Sequence, residues 1–189
     1  MTHLPGIHRK AGDTREEHDF YATHPSAIPP LLEVLGWQTG GKVIRENSCG
    51  QGHLSEMLKI YGHTVISTDL IDRGYPDAIT PVDFLQPHIT DDIPVDAVIM
   101  NPPYKHALAF VEKSLTLAPV VAAFLRITFL ESAARREFFR RHPPRYVCVF
   151  SARMASSKGG RFEGESSPVC YCWFIWERGF TGRPEIIWI

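Results

Sequence analysis

The sequence predicts an open α/β sheet, mostly parallel, with helices on both faces. Strand-like and helical runs alternate along most of the 189 residues, the order that builds parallel sheets through helical crossovers. Several strand runs, such as "VDAVIM" (95–100) and "VVAAFLRI" (120–127), are apolar without alternation, as strands covered on both faces are. The end breaks the rhythm. "RYVCVF" (145–150) and "VCYCWFIW" (169–176) are joined only by the polar loop 152–168. Parallel neighbours need a longer, usually helical crossover, so this last pair is expected to be antiparallel.

Residues 1–18 are polar and aperiodic and read as a mobile tail before a single domain over 19–189. "HPSAIPPLLEVLGW" (24–37) reads as a short helix, with Ser26 as a candidate cap and Gly36 near its end. "GKVIRE" is a strand, and "GHLSEMLKIYG" a helix with Leu54, Met57, Leu58 and Tyr61 on one face. "HTVISTDL", a short strand in "DAITPVDFL", and "VDAVIM" follow as strands. A helix over 104–117 carries Leu108, Val111 and Leu115 at helical spacing. After "VVAAFLRI" comes the Arg-rich helix "ESAARREFFRRH", which Pro143 and Pro144 terminate.

A composition of 44% hydrophobic and 11% aromatic residues is that of a soluble globular chain. No apolar run approaches the ~20 residues that span a bilayer. The N-terminus lacks a signal peptide's apolar stretch, and a cytoplasmic location with no membrane partner is expected. Cys49, Cys148, Cys170 and Cys172 show no CxxC spacing and read as packed thiols. The nine histidines form no HxxxH pair, and no metal is expected. The net charge of −1 hides an asymmetry: residues 69–96 carry a balance of −6 and residues 105–161 one of +8. Two solvated faces would account for it, and so would one face that meets a polyanion.

In such a sheet, ligands bind beyond the carboxyl ends of the strands. The first strand exits into "ENSCGQGH" (46–53), where Gly50 and Gly52 permit a tight turn at a helix start. The second exits at Asp69, placed to hold ribose hydroxyls or else to cap a helix. At the third, Asp83 can accept from an adenine amine while Phe84 packs on its ring. The fourth exit is Asn101-Pro102-Pro103-Tyr104. The glycine turn lacks the GK[ST] ending of phosphate-binding loops. A ligand with adenosine and no pyrophosphate, such as S-adenosyl-L-methionine, fits better.

These residues resemble the class I S-adenosylmethionine-dependent methyltransferases, specifically the adenine-N6 DNA enzymes with a [DNS]-P-P-[YF] signature. "NPPY" matches that signature, and "RENSCGQGH", "TDLID" and "VDF" resemble the cofactor motifs. "DFYATHP" (19–25) resembles the motif that closes over the methionine end, and "RITFLES" and "SSPVCYCWFIW" the later motifs of phage-type members. Asn47 stands where members have Pro. The resemblance implies a Rossmann-like, mostly parallel seven-stranded sheet with an antiparallel last strand. It implies that Glu46, Ser48, Gly50 and Gly52 line the methionine and ribose end of the cofactor. Tyr21 and Thr23 would close over it, Asp69 would take the ribose, and Asp83 and Phe84 the adenine.

The chemistry implied is methylation of a planar amine. Its lone pair is delocalised, and moving it toward sp³ geometry needs acceptors for both N–H bonds. The Asn101 side-chain oxygen and the Pro102 carbonyl supply two, the prolines preorganise them, and Tyr104 offers a ring for stacking. An adenine inside a duplex must first be flipped out. Arg135, Arg136, Arg140, Arg141, Arg145, Lys158 and Arg161 are candidate phosphate contacts, and Phe162 a candidate stacking partner. The expected partner is DNA, with RNA as an alternative. A protein-glutamine acceptor or a non-catalytic nucleic-acid-binding relative are further readings. No segment is long enough for a separate recognition domain, so loose specificity, a role for loop 152–168, a specificity partner or a homodimer is expected.

Overall fold

A computed structural model of the chain describes residues 21–152, 154, 156–158 (backbone only) and 169–189. The tail 1–18, Arg161, Phe162 and the side chain of Lys158 lie outside the described residues.

The main sheet is built from β2 (Val43–Glu46), β3 (Thr64–Thr68), β4 (Ala78–Ile79), β5 (Ala97–Met100), β6 (Val120–Arg126), β7 (Tyr146–Val149), β9 (Tyr171–Glu177) and β10 (Glu185–Trp188). These eight strands lie in the order β10-β7-β9-β6-β5-β2-β3-β4. All neighbours are parallel except β9, which runs antiparallel to both β6 and β7. The antiparallel pairing expected for the last two long strands is therefore present. The edge strand β10, in a short tail with little periodicity, adds an eighth strand that the sequence did not announce. Outside this sheet, β1 (Tyr21–Thr23) pairs antiparallel with β8 (Ser156–Lys158), a strand inside the polar loop.

Two apolar layers flank the sheet. On one side α1 (Ile28–Leu35) and α2 (His53–Ile60) bury Leu31, Leu32, Leu54 and Leu58 against Ile44, Ile99 and Trp173. On the other, α3 (Ala107–Leu117) and α4 (Ala133–Arg141) bury Phe110, Val111 and Phe138 against Val98, Val121 and Trp176. All four residues of β5 are buried, which explains its unbroken apolar run. Two buried indole N–H groups are satisfied, Trp173 by the Ala27 carbonyl and Trp176 by that of His142. Helix α1 ends where Gly36 adopts a left-handed φ of 68°. Ser26 does not cap it. Its N–H instead donates to the His24 ring, in the 3-10 turn Pro25–Ala27 that precedes the helix.

The acidic segment is partly engaged in local structure. Asp69, Asp72 and Asp83 accept backbone N–H groups of turns, and Asp96 accepts from Val43 N–H. Asp77 pairs with Lys59, and Asp91 with both Lys113 and the buried Arg45. Asp72, Asp77, Asp83 and Asp92 remain exposed, so much of the −6 balance still faces solvent. Cys49, Cys148 and Cys172 are buried free thiols, as packing predicts, whereas Cys170 is exposed. Among the described residues, no helix is long and apolar enough to cross a membrane, and no group of three or more His, Cys, Asp or Glu side chains could hold a metal ion.

Candidate active site

The exits of β2, β3 and β5, together with the chain after β4, surround one cavity of about 560 Å³, within the roughly 300–1,000 Å³ range of small-molecule sites. Its wall includes Tyr21, Thr23, Glu46, Ser48, Gly50, Asp69, Asp83, Phe84 and the whole of Asn101–Tyr104. Gly52 is not on the wall. A Cβ there would stand 2.5 Å from the Tyr75 ring, so packing of that ring, together with a φ of 81°, accounts for the second glycine.

The glycine turn is clamped by Asp69. One carboxylate oxygen accepts from Gly50 N–H at 2.8 Å and the other from Ile71 N–H at 2.9 Å. Gly50 itself adopts a φ of 55°, a conformation that costs other residues energy. Ser48 Oγ donates to the Asn101 carbonyl at 2.9 Å, tying the turn after β2 to the tip of β5. Asn101 Nδ2 donates to the Tyr21 carbonyl at 2.7 Å. That bond orients the amide, leaving Oδ1 as the acceptor that remains for a ligand. The Tyr21 and Tyr104 rings are stacked with centroids 5.5 Å apart.

Glu46 is buried at 2% exposure on the cavity wall, and burial pushes its carboxyl up to about 8. The Ser55 hydroxyl and N–H oppose this by favouring the ionised form, and the nearby Asp69 adds to the rise. Between the ordinary value of 4.5 and about 8, the folded protein holds a proton that the unfolded chain has released. Stability therefore falls as pH rises through that window. Glu46→Gln removes this pH dependence. Thermal unfolding followed from pH 5 to pH 9 should show the wild type losing Tm relative to the variant as pH rises; parallel curves would contradict an unusually basic Glu46.

Phe84 reaches the wall, but it is only 2% exposed. The Arg45 guanidinium and Lys113 ammonium lie over its ring at 5.3 and 4.8 Å. It forms the floor of the cavity. The open apolar surface beside Asp69 is Leu70, 52% exposed, with Ile71 next to it and Phe110 from α3 below. The sequence reading passed over these three. Leu70 and Ile71 were legible, because they follow directly on a strand-exit acid. Phe110 carried only the signal of an apolar helix face.

Three polar side-chain atoms around the site suit a ligand. Thr23 Oγ1 and both amide atoms of Asn47 are buried without a hydrogen-bond partner. Buried polar atoms normally have partners, so a bound polar molecule fits this wall better than an empty one does. The basic helix lies elsewhere. Arg135 donates to the Thr128 and Glu131 carbonyls and packs over Phe129, while Arg140 stands 3.8 Å from Glu137. Arg136 is exposed. None of Arg135, Arg136, Arg140, Arg141 or Arg145 is on the cavity wall.

No family model matches the chain, and no curated protein matches it by sequence. Solved structures do match. A type I restriction-modification methyltransferase subunit from Streptococcus thermophilus superposes with a TM-score of 0.67 at 17% identity, over 90% of this chain and 47% of the other. Magnesium protoporphyrin IX methyltransferase from Synechocystis PCC 6803, solved with bound SAM, gives a TM-score of 0.55 at 16% identity, over 82% and 78%. A proposed RNA methyltransferase from Pyrococcus horikoshii gives 0.54 at 17% identity, over 81% and 83%. The chain thus spans about half the length of the restriction-modification subunit. The fold is the Rossmann-like fold of class I methyltransferases.

Proposed function

We propose that the protein transfers a methyl group from S-adenosyl-L-methionine to the exocyclic N6 amine of adenine in DNA, with the target base flipped out of the helix. The observation that carries this reading is the orientation of Asn101. One of its amide N–H bonds is donated to the Tyr21 carbonyl, which fixes the amide and leaves its oxygen, with the Pro102 carbonyl, as the acceptors offered to an incoming amine. When bound, S-adenosyl-L-methionine supplies a methyl group on a sulfonium leaving group. Everything else falls to this chain.

Glu46, Ser48, Gly50 and Thr23 form the methionine and ribose end of the pocket. A cationic ligand beside Glu46 favours its ionised form, so binding releases a proton below about pH 8. Asp69 uses one lone pair of each oxygen on the turn, and its remaining lone pairs serve the ribose hydroxyls. Leu70 and Ile71 flank the adenine of the cofactor, over the floor made by Phe84, and Asp83 accepts from its amine. At the acceptor end, Asn101 and Pro102 hold the N–H bonds of the target amine, and Tyr104 supports the target ring. The exposed Arg136, Arg140 and Arg141, with Arg145, Lys158 and Arg161, take phosphates, and Phe162 stacks on the base. Lys105 and His106, exposed on the cavity wall directly after the NPPY motif, are further candidates for phosphate contacts next to the acceptor end. Sequence specificity comes from the loop after β7, from a separate protein or from a second copy.

A second reading, a base in RNA, is favoured by the likeness to the Pyrococcus horikoshii protein, which matches over most of both chains. Incubation with tritiated S-adenosyl-L-methionine and single-stranded DNA, duplex DNA or RNA, followed by nucleoside analysis, separates the two. N6-methyldeoxyadenosine is the expected product. Label only in RNA would move the assignment, and label in no nucleic acid would end it.

A further inference from the structure

Around Tyr104 the structure carries a device that the acceptor chemistry does not by itself require. The ring is held from more than one side. Tyr21, on the cavity wall, stacks with it at 5.5 Å. The guanidinium of Arg126, at the carboxyl end of β6, lies 4.6 Å from the ring centroid. Arg126 is not on the cavity wall. Tyr21 thus meets the ring from the cavity, and the cation meets it from outside the cavity wall. The Tyr104 hydroxyl donates to that of Tyr171 at 3.0 Å, and Tyr171 stacks on Phe124 at 5.0 Å with an 8° interplanar angle. Arg126 has no carboxylate in ion-pair range among the described residues, and its Nε is buried without a partner. Its charge is directed at an aromatic ring and two phenols.

A planar acceptor that stacks on the cavity side of Tyr104 has to part the Tyr21 and Tyr104 rings or push Tyr21 aside. In either case Tyr104 loses or shifts a neighbour on the cavity side. A ring held only from that side would follow that neighbour, and the spacing between acceptor and Asn101 would be lost. We propose that Arg126 is a positioning residue for the acceptor: it holds Tyr104 from outside the cavity wall, so that the ring keeps its place relative to the Asn101 and Pro102 oxygens while the target base enters. This rests on the reading of the site as a methyltransferase acceptor platform. It also deepens that reading. A braced aromatic platform suits a nucleobase, whose ring offers more stacking area than the side-chain amide of a glutamine.

The test compares wild type, Arg126→Met, Arg126→Lys, Tyr104→Ala and the Arg126→Met/Tyr104→Ala double variant on the nucleic acid that wild type methylates. Arg126→Met is expected to raise KM for the nucleic acid about tenfold, about 1.4 kcal/mol, with S-adenosyl-L-methionine affinity unchanged. Arg126→Lys keeps a cation over the ring without the planar contact and should fall between. The double variant should be no worse than Tyr104→Ala, because Arg126 acts through that ring. Additive losses in the double variant, an unchanged KM in Arg126→Met, or equal losses of cofactor affinity and Tm in Arg126→Lys would each overturn the proposal. A wild type that methylates no nucleic acid would instead remove the function on which it rests.

Discussion

Asn101→Ala should lower methyl transfer by about 10²–10³-fold, the usual cost of deleting one preorganised polar group at a reacting centre, while S-adenosyl-L-methionine binding stays largely intact. The separation follows from where the side chain is engaged. One amide N–H is tied to the Tyr21 carbonyl and its backbone carbonyl to Ser48, and on the proposed reading the oxygen it offers serves the acceptor. The substitution keeps the backbone bond to Ser48 and removes only the amide. Equilibrium binding of labelled cofactor, measured beside the rate of tritium transfer, reads both quantities. Equal loss of both would mean that Asn101 shapes the cofactor pocket and does not serve the acceptor.

Asp69→Ala should do the opposite and lose both at once. Its carboxylate accepts two backbone N–H groups, from Gly50 and Ile71, at 9% exposure. Hydrogen bonds to charged groups are each worth about 1.5–3 kcal/mol. Loss of roughly 3 kcal/mol corresponds to a fall in Tm of roughly 6–12 °C for a domain of this size. The glycine turn then relaxes, and cofactor affinity should drop with it. Asp69→Asn is a sharper version, because one amide position would present a donor to a donor. Differential scanning calorimetry with and without cofactor measures both effects. An Asp69→Ala protein with unchanged Tm and weakened binding would assign the carboxylate to the ligand alone.

The strand exits were legible because the rules that govern them are local. An apolar run of strand length that stops at a glycine turn, at an acid or at Asn-Pro-Pro-Tyr announces a functional tip from its own residues, and the cavity gathers these tips on one wall. The roles of individual side chains were less legible. Asp69 reads as a ligand group from its position, yet in the folded chain it also holds the turn before it. Gly52 reads as half of a ligand-binding pair, but its missing Cβ makes room for Tyr75. Phe84 reads as a stacking surface, but two cations lie over it. In each case the partner is remote in sequence, and no periodicity points to it.

By itself, then, the sequence determined the alternation of strands and helices, the antiparallel end of the sheet, and the glycine turn, spaced acids and NPPY that sit at the strand tips. Backbone propensity and the burial period of each segment suffice for that. Tertiary structure decided that β9 inserts between β6 and β7, that β10 closes the edge, and that Tyr21 reaches across 80 residues to orient Asn101. It also decided that Arg126 lies over the Tyr104 ring from outside the cavity wall. These depend on which side chains meet when separate elements pack, and that is settled by shape and hydrogen bonding across the whole domain.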